Sequence, residues 1–144
     1  MTPECRRAET VGFSMGAALH NHSDVDAPLA GAAMRCASTC DIDEQAALLR
    51  GWNQTYSQMS AGSFSGSFVE AELGKADLFR EITSSSLHQT GVLPKGACAI
   101  GVPVRLAGSA TFCGQACDGT QLHVFSGSSG FEFYSPSGLD IVGV

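Results

Sequence analysis

Hydrophobic and polar side chains alternate with a period of two in several segments of the chain after Gly51. In one segment, Ala76–Thr83, two sets of three residues fall on opposite faces: Leu78, Arg80 and Ile82 against Asp77, Phe79 and Glu81. An alternation of this kind predicts β-strands, and Gly-, Pro- and Ser-rich turns separate the segments at intervals of about 8–12 residues. The pattern predicts strands at Trp52–Met59, Phe64–Leu73, Ala76–Thr83, Leu87–Leu93, Ala97–Val104, Ala110–Cys113, Leu122–Phe125, Phe131–Tyr134 and Leu139–Val144.

Many short strands separated by turns are typical of an all-β sandwich or closed barrel. The alternation pairs residues on a face, but it does not tell which face lines the interior. One short helix is predicted at Ile42–Arg50, because Asp41 and Glu44 have the spacing of a capping box and Gly51 can end the turn.

Residues 1–40 have no period-two pattern and are predicted to form an irregular N-terminal arm, with the folded domain at residues 41–144. Two interpretations of this arm stay open. It folds over a ligand or a partner, or it is a disordered leader.

The length and charge of the chain narrow the range of possible functions. The 144 residues suit one domain, and the net charge of −6 with only Arg6 and Arg7 adjacent argues against direct DNA binding. No signal peptide and no membrane-spanning apolar run is visible, so a cytoplasmic location is expected. The six cysteines, including Cys36-x3-Cys40 and Cys113-x3-Cys117, are then expected to be mostly free thiols.

Several weak motifs in a fixed order resemble the N-terminal domain of AraC-family transcription activators, in the branch of the ethanolamine-operon regulator. They cover residues 41–144 and comprise Trp52-Asn-Gln-Thr-Tyr56, Ser60-Ala-Gly-Ser-Phe64-Ser-Gly66-Ser-Phe68, Leu78-Phe79-Arg80-Glu81, Gly101-Val102-Pro103, Gly114, Phe131-Glu132-Phe133 and Ser135-Pro136 leading to Ile141-Val142-Gly143-Val144. The resemblance implies a cupin-like β-barrel or jelly roll that senses a small molecule. It also implies a C-terminal helix-turn-helix DNA-binding domain, expected after Val144.

The sequence predicts no catalytic residue, no metal and no cofactor. The one His-x-His, His20-Asn21-His22, lies in the arm and not in a strand, and no Gly-x-Ser-x-Gly elbow or phosphate loop is present. A stand-alone small-molecule-binding domain remains the alternative function, and a cupin enzyme is a third.

A ligand in such a barrel would contact apolar and aromatic side chains and a few polar groups. The candidate ligand-binding residues are Trp52, Tyr56, Phe79, Arg80, Glu81, His88 and Phe131, with Phe133 as a further candidate. The resemblance allows a small amine as effector, which favours Glu81 as its partner, whereas Arg80 would suit a carboxylate. The expected sensing mechanism is that the arm becomes ordered over the bound effector. We expect at most a weak homodimer.

Overall fold

The computed structural model describes residues 33–144, which form two antiparallel sheets and one short helix. The predicted all-β class is therefore confirmed. The elements are β1 (Met34–Thr39), α1 (Ile42–Ala46), β2 (Asn53–Gln58), β3 (Gly66–Glu72), β4 (Asp77–Thr83), β5 (Leu87–Val92), β6 (Cys98–Arg105), β7 (Ala110–Phe112), β8 (Gln115–Cys117), β9 (His123–Ser126), β10 (Phe131–Ser135) and β11 (Leu139–Gly143).

Eight of the eleven strands, β4 to β11, form one long hairpin. β7 pairs with β8, β6 with β9, β5 with β10 and β4 with β11. The hairpin is rolled up, so that β11 also pairs with β6 and β10 with β7. The first sheet has the order β1-β3-β4-β11-β6-β9 and the second β2-β5-β10-β7-β8.

The inner faces of the two sheets meet in an aromatic and aliphatic core. Phe125, Leu139 and Ile141 from the first sheet pack with Phe131 and Phe133 from the second. The alternation in the sequence sets this arrangement, because each inward side chain is followed by an outward one. In β4 the inward set is Phe79, Glu81 and Thr83.

Nine predicted strands are present with ends that differ by up to two residues, whereas β1 and β8 were missed. The predicted irregular arm was wrong for Met34–Thr39, which forms an edge strand on β3. The inward positions of β1 are Arg35, Ala37 and Thr39, which lack the large apolar side chains that make an alternation visible. The rest of the arm, including His20 and His22, lies outside the described residues.

The helix begins as predicted and ends early. The Asp41 carboxylate accepts hydrogen bonds from the Asp43 and Glu44 N–H groups at 2.8 and 2.9 Å, which is an N-cap. The helix was predicted to reach Arg50 but ends at Ala46. The turn after it buries Leu49, and Gly51 at a φ of 78° then directs the chain into β2.

Within residues 33–144, no helix combines the length and the hydropathy needed to cross a membrane. The expectation of free thiols was wrong for Cys40, which is disulfide-bonded. Cys36, Cys98, Cys113 and Cys117 are free. In the same part of the chain, no three His, Cys, Asp or Glu side chains cluster as metal ligands would.

Candidate functional site

A buried carboxylate lies between the two sheets. Glu81, on β4, is only 3% exposed. Its Oε1 accepts hydrogen bonds from the Tyr56 hydroxyl at 3.0 Å and from Gln45 Nε2 at 2.9 Å. The Tyr56 hydroxyl also lies 3.2 Å from Oε2. Residues from β4, β2 and α1 thus meet at one acidic group.

The protonation of this cluster is set by burial. Desolvation raises the pKa of Glu81 from 4.5, while the hydrogen bonds from Gln45 and Tyr56 act in the opposite direction. Desolvation and the neighbouring Glu81 raise the pKa of Tyr56 well above 10.0. Tyr56 is therefore a neutral donor at physiological pH. Together with Gln45 it donates to the Glu81 carboxyl group.

A small chamber of about 20 Å³ lies beside Glu81 and has room for roughly one water-sized group. Its polar lining consists of Glu81, Tyr56, Gln54 and Gln89. Gln89 Nε2 is buried and has no hydrogen-bond partner among the described residues. The apolar lining is Leu49, Trp52, Phe79, Phe125, Phe131, Phe133, Leu139 and Ile141.

An outer pocket of about 240 Å³ adjoins the chamber, and Leu49, Trp52 and Phe79 line both cavities. The outer pocket also contacts Arg50, Glu70, Lys75, Asp77 and Cys98, together with Ala76, Leu93, Pro94, Ala97, Ala99 and Val144. This volume lies just below the usual range for ligand pockets and suits only a small organic molecule.

Trp52 and Phe79 line both cavities, and the centroids of their rings lie 6.0 Å apart in an edge-to-face arrangement. Phe79 lies over Gly143 of the neighbouring strand, and a Cβ at Gly143 would overlap its ring. The absence of a side chain at Gly143 thus gives the Phe79 ring its space beside the two cavities.

The structure brings five of the predicted binding residues together around the chamber: Trp52, Tyr56, Phe79, Glu81 and Phe131. Phe133 joins them. Arg80 lies on the outer face of the first sheet, where its guanidinium pairs with Asp140 at 2.6 Å. His88 lies on the outer face of the second sheet, where Nε2 is 2.9 Å from Glu132 and the ring stacks on Tyr134. Neither of these two residues lines the chamber, because each immediately follows an inward residue of its own strand, Phe79 and Leu87 respectively.

The sequence reasoning missed three glutamines. Gln54 and Gln89 could have been found from the alternation, since Gln54 shares a strand face with Tyr56 and Gln89 shares one with the buried Leu87. Gln45 gave no such signal, because it lies on the helix and reaches Glu81 only through the tertiary fold.

A second polar side chain is buried further along the core. His123 is 2% exposed, and neither ring nitrogen has a hydrogen-bond partner among residues 33–144. Its ring stacks on Phe112 with centroids 4.8 Å apart. Burial lowers the pKa of His123 from 6.5, so the ring is neutral at physiological pH.

No family profile matches the chain. No solved structure matches it.

Proposed function

We propose that this chain is the effector-sensing domain of a cytoplasmic AraC-type transcription regulator, which binds a small amine between its two sheets. In this proposal it controls a helix-turn-helix domain of the same regulator and does no chemistry on its ligand. The observation that carries the ligand part is the buried Glu81 carboxylate beside a chamber of mainly aromatic walls.

The chemistry of the chamber favours a cation. Glu81 accepts hydrogen bonds from two neutral donors, and among residues 33–144 no cationic side chain lines the chamber. A desolvated carboxylate binds an ammonium group more strongly than a neutral donor. The rings of Trp52, Phe79 and Tyr56 also line this space, and aromatic rings attract cations over their faces.

The strand pairing supports the cupin-like part of the proposal. A jelly roll is a two-sheet fold of eight antiparallel strands, and cupins have this fold. The rolled hairpin of β4–β11 has eight strands paired in four nested pairs, which is how a jelly roll is connected. The regulatory part rests on the resemblance of residues 41–144 to AraC-type sensory domains.

Titration calorimetry with small amines and size-matched neutral alcohols tests the ligand. We expect saturable binding of an amine, weakened at least about tenfold by Glu81→Gln, which loses a charge-assisted contact of about 1.5–3 kcal/mol. The control is Glu132→Gln, on the outer face of the second sheet. Alcohols that bind as tightly as amines, or an unchanged affinity of Glu81→Gln, would contradict an amine at Glu81.

Fusion of this chain to a helix-turn-helix domain with a matching reporter promoter tests the regulatory part. We expect the amine found by calorimetry to change transcription, and Glu81→Gln to abolish that change. If the amine binds but transcription stays constant in the fusion, the chain is a binding domain without this regulatory role.

A further inference from the structure

The outer faces of the two sheets differ in character. On the second sheet the outward residues are polar, and they include Asn53, Thr55, Ser57, His88 and Glu132. On the first sheet the outward residues of β4, β11, β6 and β9 are mostly aliphatic. They are Leu78, Ile82, Ile100, Val102, Val104, Val124 and Val142.

The strand register makes these side chains one continuous surface. Val102 lies beside Val142 in the pairing of β6 with β11, and Ile100 beside Val124 in the pairing of β6 with β9. Val102 is 42% exposed and Val124 is 58% exposed. A contiguous exposed apolar patch on a soluble domain marks an interaction site, whereas scattered apolar residues do not.

We infer that this outer face of the first sheet, over β4, β11, β6 and β9, is the contact surface of a symmetric homodimer. A twisted sheet face packs well against a second sheet face in nearly the same strand direction. A two-fold axis near the Val102–Val142 pair would bring the same patch of both copies together, as symmetric dimers require.

Charge favours a second copy on this face. The chain carries a net charge of −6, so two copies repel each other over most of their surface. On this face the charged outward side chains of the four strands are Arg80, Asp140 and Arg105. Arg80 and Asp140 form a 2.6 Å ion pair, and Arg105 lies opposite Asp140 in the strand register. Two copies that meet here therefore avoid the excess of acidic groups that makes the rest of the surface repel.

The size of this face sets the expected strength of dimerisation. Four strands about 4.8 Å apart, each contributing about five residues of 3.4 Å, cover roughly 300–350 Å². A standard interface buries about 800 Å² on each partner. We therefore expect a reversible dimer with a dissociation constant in the micromolar range.

Sedimentation equilibrium of the 144-residue chain over about 1–200 µM tests the inference. We expect a monomer–dimer equilibrium that persists in 1 M NaCl, because apolar contacts are not screened by salt. Val102→Lys should weaken dimerisation at least tenfold. The matched control is Thr55→Lys, which adds the same charge to the exposed outer face of the second sheet.

Val124→Lys provides a second, independent change on the same patch, and thermal unfolding of each variant verifies that it is folded. A chain that stays monomeric at 200 µM overturns the inference. Equal weakening by Thr55→Lys and Val102→Lys, or loss of the dimer in high salt, also overturns it.

Discussion

Glu81 and His123 are buried ionisable side chains whose pKa values move so that both favour the neutral form. Burial raises the pKa of Glu81 and lowers that of His123. The linkage to stability has opposite signs in the two cases. The folded state holds a proton on Glu81 more tightly than the unfolded chain does, and on His123 less tightly.

Replacement of Glu81 by Gln should change how stability depends on pH. The contribution of Glu81 to the free energy of unfolding is fully present below its unfolded pKa of about 4.5. It is lost as the pH rises through the raised pKa of Glu81 in the folded state. The stability of Glu81→Gln relative to wild type should therefore improve as the pH increases above 4.5. Urea unfolding at a series of pH values measures this, and a constant difference would contradict the burial effect.

Replacement of His123 by Phe should remove a loss of stability in acid. Wild-type stability should fall as the pH drops below the unfolded pKa of 6.5 and through the lowered folded value, since the unfolded chain binds the proton better. A phenyl ring keeps the stacking on Phe112. We expect His123→Phe to lie within about 1.5 kcal/mol of wild type at neutral pH, and to lose less stability in guanidinium titrations between pH 7 and pH 5.

At the residue scale, the sequence predicted which side chains share a face but not which face is inside. The alternation placed Phe79 with Glu81 and opposite Arg80, as the structure does. The alternation did not show which face is buried in the core, because the opposite face also carries the apolar residues Leu78 and Ile82. His88 was grouped with the binding residues although its strand neighbours Leu87 and Gln89 are the inward ones.

At the scale of elements, turn chemistry and alternation located most strands, and tertiary contacts decided the rest. β8 has only three residues, Gln115–Cys117, and forms a short hairpin with β7. β1 is stabilised by the ion pair of Arg35 with Glu70 at 2.8 Å and by the contact of that guanidinium with Phe68. Both partners are on β3, so a local pattern could not have revealed this strand.

The contact between α1 and β3 should be sensitive to one added methyl group. A Cβ at Gly66 would overlap the Gln45 side chain, which donates to Glu81. Gly66→Ala should lower the free energy of unfolding by about 1–3 kcal/mol, as overpacking does, and should weaken amine binding. Gly119→Ala is the control, because its Cβ would meet only ordinary contacts at 3.7 Å or more. Equal stability of the two variants in urea would contradict the role of Gln45.

At the scale of the whole molecule, the order of the strands in each sheet lay beyond the sequence pattern. The nested pairing joins strands as far apart as β4 and β11, and period-two alternation is the same for a strand whichever neighbour it pairs with. The chamber depends on the assembly of both sheets, because Tyr56 on β2 and Glu81 on β4 belong to different sheets.

The charge of the whole molecule leads to a prediction about DNA. Eight basic and 14 acidic residues give a net charge of −6, and Arg35, Arg50 and Arg80 each pair with a carboxylate. Affinity for a duplex grows with the number of phosphates that free Lys and Arg side chains neutralise. We therefore expect no DNA binding by this chain at micromolar concentration in gel-shift experiments, even at 50 mM salt.

The fusion of the chain to a helix-turn-helix domain is the positive control on the same promoter fragment, and it should bind with a strong dependence on salt. Addition of the amine to the isolated chain should leave it without DNA affinity, since binding at Glu81 adds no basic side chain to the surface. Specific binding of the isolated chain to the promoter would mean that this domain contacts DNA directly. The division of labour in the proposed regulator, with sensing here and DNA recognition elsewhere, would then be wrong.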